Sequence, residues 1–172
     1  TIYNYLGFHL LAEPYGISQT AAAWIFSLYM LGVISAPWMG NLANRLGPAR
    51  VYWLPITLML VGVTLTLSAP LWLIVCGVGI MTFGFFGAHS VASGWVGTRA
   101  TDCRPQASAL YLSSFYVGSS VVGSFGGVVL RWHGWRGVSL MVSGLLVLAL
   151  AAGFRLRRMA VAERLADTGS GT

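Results

Sequence analysis

Charge is what this chain has least of. Asp, Glu, Lys and Arg make up 8% of its 172 residues, with four acids, ten arginines and no lysine. A water-solvated domain carries roughly 25% charged residues, so a soluble globule is excluded. A nucleic-acid-binding surface is excluded too, because the arginines punctuate apolar stretches and gather on no polar face. Cysteine is nearly absent: Cys76 sits in an apolar run and Cys103 in a polar loop. Two thiols are too few for a disulfide framework or a zinc site, and neither metal nor cofactor is expected. No start methionine or basic leader precedes the first apolar stretch, so no signal peptide is expected. The opening "TIYNYLGFHLLAEP" reads as a chain entered partway through a helix.

Apolar sequence is what remains: 56% of residues are hydrophobic, and the mean hydropathy is +0.75. Residues 14–44, 51–98, 105–130 and 137–154 contain no Asp, Glu, Lys or Arg. A helix needs roughly 20 apolar residues to cross a bilayer, and the longest run holds two such lengths around "LSAPLW" at 67–72. Five full spans are predicted near 19–41, 51–68, 71–95, 106–130 and 137–154, with a partial sixth at 1–12. The expectation is an all-α integral membrane protein with six transmembrane helices.

Arginine placement predicts the orientation, since cytoplasmic loops retain positive charge. Arg45, Arg50, Arg99, Arg104, Arg155, Arg157, Arg158 and Arg164 fall on one side of the predicted spans, against Arg131 and Arg136 on the other. The first side is therefore read as cytoplasmic, together with the basic tail 155–172, whose end is expected to be disordered. The seven tryptophans all lie near predicted span ends, the depth an amphipathic ring prefers.

Shifted by 87 residues, the chain weakly matches itself. Gln19, Ala22, Ser27, Tyr29, Gly40, Gly47 and Val51 meet Gln106, Ala109, Ser114, Tyr116, Gly127, Gly134 and Val138. Three spans separate the matched segments, so the copies run in opposite directions across the membrane. Two inverted three-helix repeats are a construction used by secondary transporters.

One stretch stands apart, "GNLANRLGPAR" at 40–50, a compact basic turn between two apolar runs. It resembles the loop motif of the major facilitator superfamily, G-x-L-a-D-r-x-G-r-r, which joins the second and third helices of each six-helix half on the cytoplasmic side. Gly40, Leu42, Ala43, Arg45, Gly47 and Arg50 match; Asn44 replaces the usual aspartate and Pro48 a common basic residue. The resemblance implies half of a twelve-helix fold, with residues 1–154 the carboxy-terminal six-helix half and its first helix cut short. It also implies that the amino-terminal half is a partner, and that Gly40, Asn44, Arg45, Gly47 and Arg50 form a conformational latch, softer here because Asn44 carries no charge. "AHSVASGWVG" and "YVGSSVVGSFGG" look most like bacterial efflux-type members.

In that family the first helix of each three-helix unit lines the central cavity, which points to Tyr3, Asn4 and Tyr5 in the first segment and His89 and Ser93 in the fourth. An ionisable side chain within a span is a functional candidate because burying it is expensive, and histidine exchanges protons near physiological pH. A structural histidine bonded to a neighbouring helix is the other reading of His89. His9 and Glu13 stand four apart, the spacing of a pair on one helical face, with a solvated cap the expected role for Glu13. Gly118, Gly123, Gly126 and Gly127 give the fifth span a smooth packing face, which in the family slides against the other half.

The expected function is secondary active transport of a small neutral or amphipathic molecule by alternating access, as efflux or antiport and with protons as candidate coupling ion, in a bacterial inner membrane. A six-helix membrane enzyme or a structural subunit is the alternative. No catalytic residues are assigned, and the expected partners are lipid, substrate and the other half, not nucleic acid.

Overall fold

A computed structural model of the chain describes residues 1–100 and 102–169, with side chains as far as Arg155. The described residues form α1 (Ile2–Leu11), α2 (Gln19–Phe26), a 3-10 turn (Ser27–Met30), α3 (Leu31–Leu46), α4 (Pro48–Val51), α5 (Trp53–Leu65), α6 (Leu71–Arg99) and α7 (Arg104–Gly169). The stretch from α2 through α3 is one apolar helix of 28 residues, and α4 with α5 is another of 18. With α6 and the apolar part of α7 there are four elements long and apolar enough to cross a membrane.

Local chemistry sets the boundaries. Ser18 caps α2, its hydroxyl accepting from the Ala21 N–H at 3.1 Å. Gly47 ends α3 at φ +90°, and Pro48 opens α4 at the first helical position, where its missing N–H costs nothing. The motif expected to form a turn over 40–50 is thus mostly helix, and Gly47 alone separates α3 from α4. Helices also outrun the predicted spans, because helical hydrogen bonding continues past the point where apolar sequence stops.

The apolar part of α7 covers 52 residues, about 78 Å if straight, against a hydrocarbon core of about 30 Å. Gly134 interrupts it with φ 62° and ψ −161°. The arms on either side, 104–133 and 135–169, double back on one another. Phe115, Gly118 and Val122 of the first arm line the same cavity as Val142, Leu145 and Ala149 of the second. Ala107 of the first arm lines a cavity with Tyr52, and Gly153 of the second packs against the Tyr52 ring. Helical backbone continues to Gly169; the last residues of the expected disordered end, 170–172, lie outside the described residues.

Helix ends therefore gather into two groups. Arg45, Arg50, Arg99, Arg104 and Arg155 fall at one end of the bundle, Arg131 and Arg136 at the other. At this second end a cavity of about 460 Å³ brings together His9, Tyr15, Ser68, His133, Trp135 and Arg136. Gly47 and Gly134, matched by the 87-residue shift, both have positive φ and both sit at a junction between helices. Their neighbours Val51 and Val138 are both buried, at 3% and 0% exposure.

At the centre, α6 packs on α5 with almost no side chain between them. A Cβ on Gly62 would strike the Met81 backbone nitrogen, and one on Gly77 would lie 2.6 Å from the Gly62 carbonyl oxygen. Against α3, serines are exchanged: Ser35 donates to the Phe83 carbonyl, and Ser90 donates to the Ala36 carbonyl at 2.8 Å. Small residues and hydroxyl bonds are how helices associate in lipid, where apolar burial gives no drive.

Candidate functional site

On its other side α6 faces a cavity of about 740 Å³, completed by α1, Tyr29, Met59 and both arms of α7. Its wall carries the rings of Tyr3, Tyr29, Phe85 and Phe115, the hydroxyls of Thr82, Ser114 and Ser119, and the amide of Asn4. No Asp, Glu, Lys, Arg or His side chain lines it among the described residues. Such a surface offers stacking faces and scattered hydrogen-bonding groups but no counter-charge.

Tyr3 reaches across this cavity from α1. Its hydroxyl lies 2.7 Å from Thr82 Oγ1, and Thr82 donates its own proton to the Val78 carbonyl at 2.7 Å. With that proton committed, Tyr3 is the donor. The Tyr3 ring stands 4.4 Å from Tyr29 and 5.4 Å from Phe26. Asn4 shares the wall. Tyr5 points instead onto the first arm of α7, donating to the Gly123 carbonyl at 2.6 Å. Gly126 and Gly127 make room for its ring, since a Cβ on either would come within 3.0 Å of Tyr5 atoms. Three of the four glycines named from the sequence thus receive α1, while Gly118 opens onto the cavity.

His89 is half-buried beside the cavity and does not line it. Its Nδ1 lies 3.0 Å from the Tyr111 hydroxyl, and its ring is 5.0 Å from Phe115 and 6.4 Å from Phe85. Ser93 is exposed, its hydroxyl turned back to the Ser90 carbonyl at 3.2 Å. His9 does not pair with Glu13: α1 stops at Leu11, so helical spacing fails, and His9 stacks on Trp135 at 4.7 Å. Trp135 in turn donates to the Thr66 carbonyl at 3.0 Å. Glu13 is exposed, as a solvated position requires.

These helices and this loop have counterparts in known proteins. The family model described as Major Facilitator Superfamily matches residues 2–171. The chain belongs to that superfamily. It is 42% identical to the "Inner membrane transport protein YnfM" of Escherichia coli over 92% of this chain and 38% of that protein. It is 35% identical to the "Uncharacterized MFS-type transporter YybF" of Bacillus subtilis over 98% of this chain and 42% of that protein. An "Uncharacterized transporter" of Buchnera aphidicola (Schizaphis graminum) is 32% identical over 92% of this chain and 38% of its own length. The chain thus spans about two fifths of the length of these relatives. No solved structure matches it.

Within this superfamily member the motif residues occupy one helix end. Gly40 faces Ser90 of α6, where a Cβ would lie 2.9 Å from the hydroxyl. Asn44, Arg45 and Arg50 are exposed there, and Gly47 makes the turn. Sequence reading passed over Thr82, Phe85 and Tyr29. Thr82 and Phe85 stand seven and four residues before His89, on the same face of α6.

Proposed function

We propose that this chain is the carboxy-terminal six-helix half of a secondary active transporter. It works by alternating access on a small neutral or amphipathic molecule, as efflux or antiport. The observation that carries the reading is the uncharged, aromatic and hydroxyl-lined cavity at the middle of a superfamily member. Names of transporters on the relatives support transport and leave a membrane enzyme without support. The paired positive-φ glycines, Gly47 and Gly134, support two inverted repeats of three helices. The arginine count supports a cytoplasmic carboxy terminus, and the name of the Escherichia coli relative supports a bacterial inner membrane. The amino-terminal half supplies the facing wall, and the exposed end formed by Asn44, Arg45 and Arg50 is the latch that closes against a neighbouring helix in one state.

Cysteine accessibility tests this. In proteoliposomes holding the whole protein, with Cys76 and Cys103 replaced by serine, Ser119→Cys is exposed to a membrane-impermeant maleimide from each face in turn. Labelling from both faces is expected, with each face favoured under a different imposed gradient. A thiol reached from one face only, or from neither, overturns alternating access around this cavity.

A further inference from the structure

We propose that Thr82 fixes the hydrogen-bond polarity of the central cavity, so that this wall selects a ligand carrying an O–H or N–H donor on an aromatic body. The inference rests on the transport reading and narrows its substrate class. Two side-chain hydrogen bonds bridge α6 to the elements facing it, Tyr3–Thr82 from α1 and His89–Tyr111 from the first arm of α7. Both partners of the first line the cavity itself.

Following each proton along that first bond gives the polarity. Thr82 donates to the Val78 carbonyl of its own helix at 2.7 Å, so its oxygen has only lone pairs left to offer. The Tyr3 hydroxyl, 2.7 Å away, supplies the proton between them. A phenol has one proton, and here Thr82 holds it. What remains at Tyr3 is an acceptor oxygen, made a better acceptor by the bond it donates. Thr82 is 1% exposed and out of a ligand's reach, whereas Tyr3 is half-buried and lines the cavity. Among the described residues, the Tyr3 hydroxyl bonds to Thr82 alone. Its ring is held against Tyr29 at 4.4 Å and Phe26 at 5.4 Å, so the oxygen keeps its place.

The other polar groups on the wall impose no direction. The hydroxyls of Tyr29, Ser114 and Ser119 rotate to suit a ligand, and the Asn4 amide offers both donors and an acceptor. Tyr3 is therefore the group that discriminates. A ligand that only accepts, such as an ether, has two courses at this oxygen. It leaves the oxygen unmet, or it draws the Tyr3 proton from Thr82 and strands the Thr82 oxygen away from water, and either costs free energy. A ligand that donates meets the wall as it stands. Phe85 and Phe115 supply the ring faces for its body, and aromatic rings pair best with other rings, offset or edge to face.

Protection of the Ser119→Cys thiol from maleimide in the whole protein, at neutral pH, tests this with β-naphthol and its methyl ether. The two share a ring system and differ in the hydroxyl proton. The naphthol is expected to protect at about fivefold lower concentration, the worth of one net hydrogen bond. Thr82→Val keeps the branched shape and removes the acceptor, which turns the Tyr3 proton toward the cavity. Protection by the ether is then expected to improve about fivefold and to equal that by the naphthol, whereas Thr82→Ser keeps the parent's preference. Comparing one probe between variants cancels its partition into lipid. A cavity damaged by the substitution weakens both probes, so a gain for the ether is specific to a redirected proton. Equal protection in the parent, protection by neither probe, or no gain for the ether in Thr82→Val overturns the proposal. Labelling that alternates between faces without probe leaves the transport reading standing in each of those cases. A thiol reached from one face only removes that reading whatever the probes do. If Thr82→Val does not assemble, Tyr3→Phe carries the test: the naphthol is expected to fall to the ether's level, and a preference that survives loss of the hydroxyl overturns the proposal.

Discussion

The two sides of α6 are built by opposite rules. Toward α5 its backbone is brought into direct contact through Gly62, Gly77 and Gly84, and toward α3 Gly87 receives the side chains of Met39 and Ser35 while hydroxyls bond to carbonyls. Toward α1 and the first arm of α7 it leaves a cavity of about 740 Å³, beside an apolar core that it shares with Ile2, Leu6 and Leu10 of α1. Ile74, Val78 and Val91 are buried on α6, whereas Trp72 near its start is exposed. The difference teaches where motion is cheap. Helices interlocked through glycine backbones separate only by losing dispersion contacts all along their length, whereas across the cavity the walls already stand apart and are bridged by two side-chain bonds of about 1 kcal/mol each. α3, α5 and α6 therefore behave as one stiff unit. α1 and the first arm of α7, held together by Tyr5 on its glycine seat, form the unit facing it across the cavity.

The strongest way to break this contrast is to add one carbon to each side. Gly62→Ala places a Cβ against the Met81 backbone nitrogen and within 2.5 Å of the Gly77 carbonyl oxygen, atoms that cannot rotate away. A loss of about 3 kcal/mol is expected, read as a large fall in the thermal midpoint of the solubilised protein. Gly118→Ala meets nothing within 4 Å and is expected to leave the midpoint unchanged. Equal losses for both would mean that the cavity side is packed as tightly as the α5 side.

A smaller effect sharpens the comparison between the two halves of the chain. Gly47 and Gly134 have φ of +90° and +62° with open space around both, so an added methyl group costs only backbone strain. Gly47→Ala and Gly134→Ala are each expected to lose about 1–2 kcal/mol in urea-titrated unfolding from mild detergent. Matching losses fit one turn used twice. A loss at Gly134 alone would make the 87-residue echo a coincidence of composition.

Much of this was legible in the sequence because lipid imposes a one-dimensional rule. Uncharged runs gave the helices, and the arginines gave their grouping at two ends. Gly47 and Gly134 stood out through the repeat. Tyr3 and Asn4 were found by their place in the first segment, and both line the cavity. Boundaries were less legible: α3 runs on to Leu46 through Asn41, Asn44 and Arg45, residues that hydropathy reads as loop although their backbone stays helical. The wall residues Thr82, Phe85 and Phe115 escaped for a different reason. α6 is apolar all round, and a helix of that kind carries no facial signal, so nothing in its order tells a ring that fills a core from a ring that faces a void. The glycine spacing in α7 announced a contact surface, but only the folded chain shows that Gly123, Gly126 and Gly127 receive Tyr5.

The smallest predicted effect asks whether hydroxyl bonding, and not serine content, separates well-packed faces from loose ones. Ser35 and Ser139 are both fully buried, at 0% exposure. Ser35 donates to the Phe83 carbonyl across the α3–α6 contact, whereas the hydroxyl of Ser139 has no partner, nor has that of Ser143 one turn on. An unmet buried hydroxyl is costly, and a serine inside a helix is also slightly worse than alanine in propensity. Ser139→Ala is therefore expected to stabilise the protein by about 1 kcal/mol and Ser35→Ala to destabilise it by about the same amount, moving the thermal midpoint in opposite directions. The second arm of α7 offers Ser139 one escape, a bond back to the carbonyl four residues earlier, that of Trp135. If that bond forms in the membrane, Ser139→Ala becomes neutral while Ser35→Ala still loses stability, so the gap between the two substitutions is the quantity to measure. A gap of zero would show that the serines exchanged between α3 and α6 contribute nothing to holding those helices together.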